Sequence, residues 1–497
     1  MKIQPHYSAA PTPFRHTWSG VVNIDQFRHL LRRDAQSCVQ TAHGEIGARH
    51  VRAVGMLDDY LGAYGRDPQS FAQHPQTLRS NWRNVFFVVD QLVESGVAPM
   101  FTTCFTPSKM ARSFSGVFGG GASAAPPADM KIWSDFLIEG AQLCVARYGE
   151  KSVEKWLFEA WNEPNLGCFF NGTQHEFFEL WAHTFRALKN VNANFQIGGP
   201  STARAEWLGD FIEWTRKNGC EPDYLVAHIY NNDSENSALS PFDGPQDEKQ
   251  NASPHFAGRV MLGARQQIDE TGFRGALHWN EWGRSWLPCD AVRESAQEAA
   301  FIVKTMSETS QSADVFAYWC LSDVYDQIGY GREAFHGNYG MISLDGLKKP
   351  SYFAHQLLEK LGESRIEIGG DFGADFTSMQ NAIATPTRDG FAVLVYAIED
   401  EFAVGNSRKT SVEIALPTGF SGALKLWRVG ENENNIQRAW EEIGSPPYPT
   451  RAQTDDLRAR NVLQSAATNE VRVLDNAARF EMTAPGIALL EIAVREC

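Results

Sequence analysis

The 497 residues, 43% hydrophobic and 12% aromatic, supply a large buried core and two or three domains. A formal net charge of −15 excludes nucleic acid and anionic membrane as partners, since both demand a basic surface; a neutral or small substrate remains. The opening MKIQPHYSAAPTPF lacks the apolar centre of a secretory signal, and no window approaches roughly 18 consecutive apolar residues, so the reading is a soluble, cytoplasmic protein.

In chain order, eight short apolar or aromatic runs read as buried strands. They are HTWSGVVN (16–23), HVRAVGML (50–57), VAPMFTTCF (97–105), WLFEAWNE (156–163), FQIGGPST (195–202), DYLVAHIY (223–230), ALHWNEWG (276–283) and VFAYWCLS (315–322). Between them lie segments with helical spacing, at 81–95, 132–149, 176–190, 206–219, 257–271 and 294–309, with a last one at 351–362. Strand-helix alternation over more than about 250 residues predicts an α/β fold, a (β/α)8 TIM barrel over 14–363. An open doubly wound sheet is the runner-up, but its Gly-x-Gly-x-x-Gly turn is missing. FGGGASAAPPAD (118–129) reads as a mobile loop after the third strand. From 364 to 497 short alternating runs split by Gly, Pro, Asn and Asp predict an all-β, antiparallel C-terminal β-sandwich, which the extended residues 1–13 join. The eight cysteines are scattered with no Cys-x-x-Cys pair and read as buried thiols.

Barrel active sites lie at the C-terminal ends of the strands, where Glu163 ends the fourth run and Glu281 the seventh. A lone Asn-Glu-Pro is equally a helix start, with its carboxylate on the helix dipole. Trp-Asn-Glu at both strand ends, 161–163 and 279–281, points instead to the carboxylate pair that cleaves a glycosidic bond. Glu163, among aromatic groups and facing a second carboxylate, is expected to keep its proton to higher pH. Glu281 needs donors to stay ionised, and Arg52 and Tyr230, at the ends of the second and sixth runs, are the candidates. The spacing of Asp323 and Asp326 lacks the alternating oxygens of a calcium loop, so neither a metal nor a cofactor is expected. A non-catalytic carbohydrate binder on the same barrel is the alternative from another class, although a binder has no need of both carboxylates.

These features resemble the retaining (β/α)8 glycoside hydrolases. More narrowly, FEAWNEPNL, the triplet His228 to Tyr230, YWCLSDVYD and FHGNYGMISLDGLKKPSYFAHQLLEKLG resemble glycoside hydrolase family 39 over most of 14–363, its bacterial β-xylosidase branch in particular. The resemblance implies Glu163 as acid/base, Glu281 as nucleophile and Asn162 on the sugar 2-hydroxyl. It implies that Arg52 and Tyr230 orient the nucleophile, that His228 lines the sugar subsite and that Trp319 is an apolar floor. Phe335 joins the substrate-binding set on the loop after the eighth strand. The implied activity is release of xylose from the non-reducing end of xylo-oligosaccharides, with α-L-arabinosidase or another exo-glycosidase as the alternative. Because the family contains tetramers, a homo-oligomer is allowed. The β-xylosidase branch implies a histidine where this chain has Val54, so a sugar contact is lost or is supplied by Asp58 or Asp59.

Overall fold

Runs that are apolar at inward and outward positions alike have no face to leave in water, and here they form the inner wall of a barrel. The computed structural model describes the chain apart from residues 118, 120, 234–252, 328, 371–377, 400–406 and 495–497. Its barrel strands are β1 Val21–Gln26, β2 His50–Val54, β3 Ala98–Thr102, β4 Leu157–Glu159, β5 Gln196–Thr202, β6 Tyr224–Tyr230, β7 Ala276–Gly283 and β8 Val315–Tyr318. They lie side by side in sequence order, every neighbouring pair parallel.

The ring closes between β8 and β1 largely through a side chain. Asn23 Nδ2 donates to the carbonyls of Asn280 (2.7 Å), Ala317 (3.1 Å) and Tyr318 (3.2 Å), and the amide of Leu321 donates to the Asn23 carbonyl at 2.9 Å. Outside the wall run α1 Arg33–Ile46, α2 Arg83–Glu94, α3 Met130–Tyr148, α4 Gln174–Val191, α5 Leu208–Lys217, α6 Phe256–Glu270, α7 Ala296–Thr309 and α8 Pro350–Leu358. Local sequence starts several of them: the Asp129 carboxylate accepts the first free amides of α3, Thr173 and Glu176 form a capping box on α4, and Pro350 opens α8.

Side chains fill the barrel in layers. An apolar cluster inside the barrel is made by Val21, Met100, Tyr224, Val226 and Ala317. Asn23, Arg52 and Glu159 make a polar group of fully buried residues beneath the mouth.

Two barrel expectations change. The fourth run stops as a strand at Glu159, because Trp161 (φ 73°) and Glu163 (φ 45°) adopt left-handed backbone that a ladder cannot hold. Glu163 therefore stands on a turn beyond the strand. Residues 121–127, predicted as part of a mobile loop, are buried; bridges pair Thr106 and Gly116 with Ser123, and Ala111 with Pro127. Their small side chains suit them to close packing, and only residues 118 and 120 of that patch lie outside the described residues.

The later strands are β9 Ile368–Gly370, β10 Gln380–Thr387, β11 Gly390–Ala397, β12 Arg408–Ala415, β13 Gly422–Val429, β14 Arg472–Leu474, β15 Ala477–Ala484 and β16 Gly486–Val494. One antiparallel sheet runs β10-β11-β16-β13. The other runs β9, the N-terminal strand Lys2–Pro5, β12, β15, β14, with the N-terminal strand antiparallel to β9 and parallel to β12. Ile3, Val412 and Phe480 of one sheet share an apolar cluster with Val393, Leu490 and Ile492 of the other, which makes a sandwich. The first of the alternating runs predicted for this region is FTSMQNAIATPT (376–387), whose opening residues 376–377 lie outside the described residues.

The C-terminal region is not all-β. Two helices, α9 Gln437–Glu442 and α10 Arg451–Arg460, interrupt it, and a Thr450–Gln453 capping box starts the second. They cover the loop after β8: Trp440 and Leu457 pack with Phe335 and Leu347, and Arg458 Nε donates to the Asp345 carbonyl at 2.6 Å. Among the described residues, no helix is long and apolar enough to cross a membrane.

Candidate active site

The site is organised around one buried cation. Arg52 points inward from β2, and its N–H groups are all engaged. Nε and Nη2 hold the Glu159 carboxylate (2.6 and 3.2 Å), Nη1 reaches Glu281 Oε1 (2.8 Å) and Asn23 Oδ1 (3.3 Å), and Nη2 also reaches Asn162 Oδ1 (2.6 Å). Burial alone would lower the Arg52 pKa; the charges of Glu159 and Glu281 outweigh it, and the guanidinium stays charged.

Glu159 is the functional residue that the sequence reading passed over. It ends β4, is fully buried, and takes further hydrogen bonds from Thr102 Oγ1 (2.9 Å) and Ser201 Oγ (2.6 Å). Burial raises its pKa but Arg52 more than cancels that, leaving it below the ordinary value. The available signal was strand parity. Phe158 belongs to the outer core, so its neighbour must point into the barrel, where a carboxylate requires a cation.

Glu163 follows on the turn, its amide donating to the Ser201 carbonyl at 2.8 Å and its carbonyl accepting from Leu166 at 3.0 Å. Burial pushes its carboxyl up to about 7, with the Glu159 charge adding to the rise and Arg52 and Arg204 opposing it. Glu163 and Glu281 also oppose each other's ionisation, because the repulsion that raises Glu281 acts equally on Glu163. Glu281, on β7, receives Arg52 on one oxygen and Tyr230 Oη on the other at 3.2 Å. Burial raises Glu281 too, the charges of His228 and Arg52 pull it down, and Glu163 pushes it up.

His228 lies between the two carboxylates, with Nδ1 at 3.1 Å from Glu163 Oε1 and 3.7 Å from Glu281 Oε2. Its Nε2 is 3.4 Å from Arg52 Nη2, a group that can only donate, which favours the tautomer with the proton on Nδ1, facing Glu163. Burial holds His228 down at about 4, so it is neutral near pH 7, when Arg52 is the counter-charge on Glu281. Since Arg52 hydrogen-bonds Glu281 and not Glu163, a proton shared by the two carboxylates resides on Glu163. Glu163, His228 and Glu281 each bring one oxygen or nitrogen within 4.8 Å of the others.

The model for glycosyl hydrolases family 39 matches residues 1–472. The chain belongs to that family. It is 26% identical to a β-xylosidase of Caldicellulosiruptor saccharolyticus, covering 100% of this chain and 98% of that protein, and 27% identical to one of Geobacillus stearothermophilus, covering 92% and 88%. A monomeric β-xylosidase of Caulobacter crescentus superposes with a TM-score of 0.84 at 25% identity, covering both chains fully. This family 39 protein is therefore a glycosidase, with an oligosaccharide as substrate.

In this glycosyl hydrolase, Arg52, Asn162, His228 and Tyr230 gather around the carboxylate pair as the sequence placed them. His228 and Arg52 are fully buried, however, so their contacts are with the carboxylates and not with a sugar. Trp319 clusters with Tyr230, Tyr325 and Tyr339 and forms an aromatic wall beside Glu281. Phe335 is not part of the site. Its ring lies edge-on to Trp440 at 5.4 Å, because α9 and α10, which no barrel pattern foretells, cover that loop.

Val54 is buried core, and the Asp58 carboxyl is buried inside its own turn and driven far above its ordinary pKa by that burial. The loops after β1 and β8 meet at another cluster, Asp25, His29 and Asp326. Its carboxylates already accept from Gln327 Nε2 (2.6 Å), the Asp326 amide (3.1 Å), Gln26 Nε2 (2.6 Å) and Arg28 Nη2 (2.7 Å). Donors so arranged repel a metal, and the cluster reads as a polar plug; Arg28 also covers the Tyr60 ring at 4.2 Å. Arg52 likewise disfavours a cation between Glu163 and Glu281.

Proposed function

We propose that this enzyme is a retaining β-xylosidase that removes single xylosyl units from the non-reducing end of xylo-oligosaccharides. The observation that carries the reading is the carboxyl pair itself: Glu163, raised to about 7, faces Glu281, held by Arg52 and Tyr230, with one oxygen of each within 4.8 Å of the other. Retaining enzymes hold their carboxyl groups about 5–5.5 Å apart, whereas inverting ones need roughly 6.5–9.5 Å to admit a water.

Glu163 gives its proton to the glycosidic oxygen while Glu281 attacks the anomeric carbon. The C–O bond to the leaving sugar breaks as the glycosyl–Glu281 ester forms. Glu163, now ionised, takes a proton from a water that displaces Glu281, and both carboxyls return to their starting states. His228 donates to one oxygen of Glu163 and leaves the other for the substrate. Asn162, oriented by Arg52, is placed for the 2-hydroxyl.

Full-length similarity to proteins named β-xylosidases supports xylose as the sugar. The committed cations support a neutral sugar, Arg52 being held by Glu159 and Glu281 and Arg28 by Asp326.

The test is kinetics on aryl β-xyloside, α-L-arabinoside, β-glucoside and α-L-iduronide, with a pH profile on the fastest. The β-xyloside is expected to be fastest by at least about tenfold. Its kcat/KM should fall as pH rises through about 7, where Glu163 loses its proton, and fall again in acid as Glu281 gains one. A faster rate on another glycoside, or no basic limb near pH 7, would contradict the proposal.

A further inference from the structure

Of the fourteen tryptophans only Trp286 is exposed, at 44%. It lies five residues after Glu281, on the loop that leaves β7 at the mouth. That loop is rigidly held. The Trp286 amide donates to Asn232 Oδ1 at 2.9 Å, and its carbonyl accepts from Tyr339 Oη at 2.5 Å. Buried Arg293 ties the same loop down by donating to the carbonyls of Ser285 and Leu287. Tyr339 in turn accepts a hydrogen bond from Tyr325, their rings 4.8 Å apart, so the rim is wired to the aromatic wall beside Glu281. A large indole left in water on an immobilised loop loses little entropy on binding and gains apolar contact, the arrangement expected of a recognition surface.

We propose that Trp286 is the platform for the first sugar of the leaving group, immediately beyond the scissile bond. The inference rests on the β-xylosidase reading. In an exo enzyme the glycone is one enclosed sugar, and the wall residues Trp319, Tyr230, Tyr325 and Tyr339 are all buried, as an enclosed subsite requires. An exposed platform at the rim lies outside that enclosure, where only the leaving group extends. A pyranose ring presents an apolar C–H face that stacks on indole, and a xylosyl unit, lacking a hydroxymethyl group, can lie flat upon it.

The experiment compares xylotriose with β-xylosyl fluoride, whose leaving group has no ring to stack. Trp286→Ala should lower kcat/KM for xylotriose about tenfold, mainly through KM, and leave the fluoride within about twofold. Trp286→Phe should restore most of the xylotriose rate. Tyr339→Phe, which removes the hydroxyl that anchors the rim, should give a smaller loss in the same direction. Equal losses on both substrates, or an unchanged xylotriose rate in Trp286→Ala, would overturn the platform. A wild-type enzyme inert towards xylosyl fluoride would instead sink the β-xylosidase reading, and the inference with it.

Discussion

Replacing Glu281 with alanine is expected to lower kcat/KM for aryl β-xylosides on the order of 10⁵-fold, about 7 kcal/mol of transition-state stabilisation. The loss is large because the residue forms the bond that divides the reaction into two steps. It should be nearly the same for activated and unactivated leaving groups, since removal of the nucleophile disables attack whatever departs. The substitution also leaves Arg52 Nη1 and Tyr230 Oη without their shared acceptor. Arg52 keeps Glu159, so the cation retains a buried counter-charge and the barrel should remain folded. Initial rates with a circular-dichroism check decide the matter; near wild-type activity would show that Glu281 is not the nucleophile.

Glu163→Ala should show the opposite dependence on leaving group. On xylobiose, whose departing alkoxide needs a proton, kcat/KM is expected to fall on the order of 10³–10⁴-fold. On a dinitrophenyl xyloside the departing phenolate needs no proton, so the first step should proceed and the glycosyl-enzyme should accumulate as a burst, because the water that releases it has lost its base. The basic limb of the wild-type pH profile near 7 should vanish in this variant, since that limb is the titration of the deleted carboxyl. Equal losses on both substrates, with the limb intact, would assign the acid to another residue.

Much of this site was legible because strand ends in a barrel converge. Once the strand-helix alternation was counted, Arg52, Asn162, Glu163, His228, Tyr230 and Glu281 fell on one mouth, and the repeated Trp-Asn-Glu singled out the pair. What escaped was of two kinds. Glu159 was hidden because it lies within an apolar strand, and only the inward parity of that position reveals it as the partner of Arg52. Trp286, Tyr325 and Tyr339 lie on loops whose course is set by contacts between distant segments, such as Arg293 with Ser285 and Tyr339 with Trp286, and no local periodicity encodes those. Phe335 was misplaced for the same reason: the helices that cover it begin about a hundred residues later. Their capping box at Thr450 was nevertheless readable.

The left-handed backbone at Trp161 and Glu163 shows why the fourth run defeated a strand reading. Such conformations cost on the order of 1–3 kcal/mol each and persist where the surroundings impose them. Here the Glu163 amide bond to Ser201 and the Trp161 indole bond to the Phe169 carbonyl (3.0 Å) do so, and the turn carries the carboxyl clear of the strand and into the mouth.

The assignment of roles to the two glutamates is tested most directly by the anomeric configuration of the products formed when azide rescues each alanine variant on an activated aryl β-xyloside. Glu163→Ala should yield β-xylosyl azide, since azide attacks the glycosyl ester on Glu281 from the open face. Glu281→Ala should yield the α-azide, since azide then occupies the nucleophile's place and inverts the centre once. The reverse assignment, or the same anomer from both variants, would contradict the account.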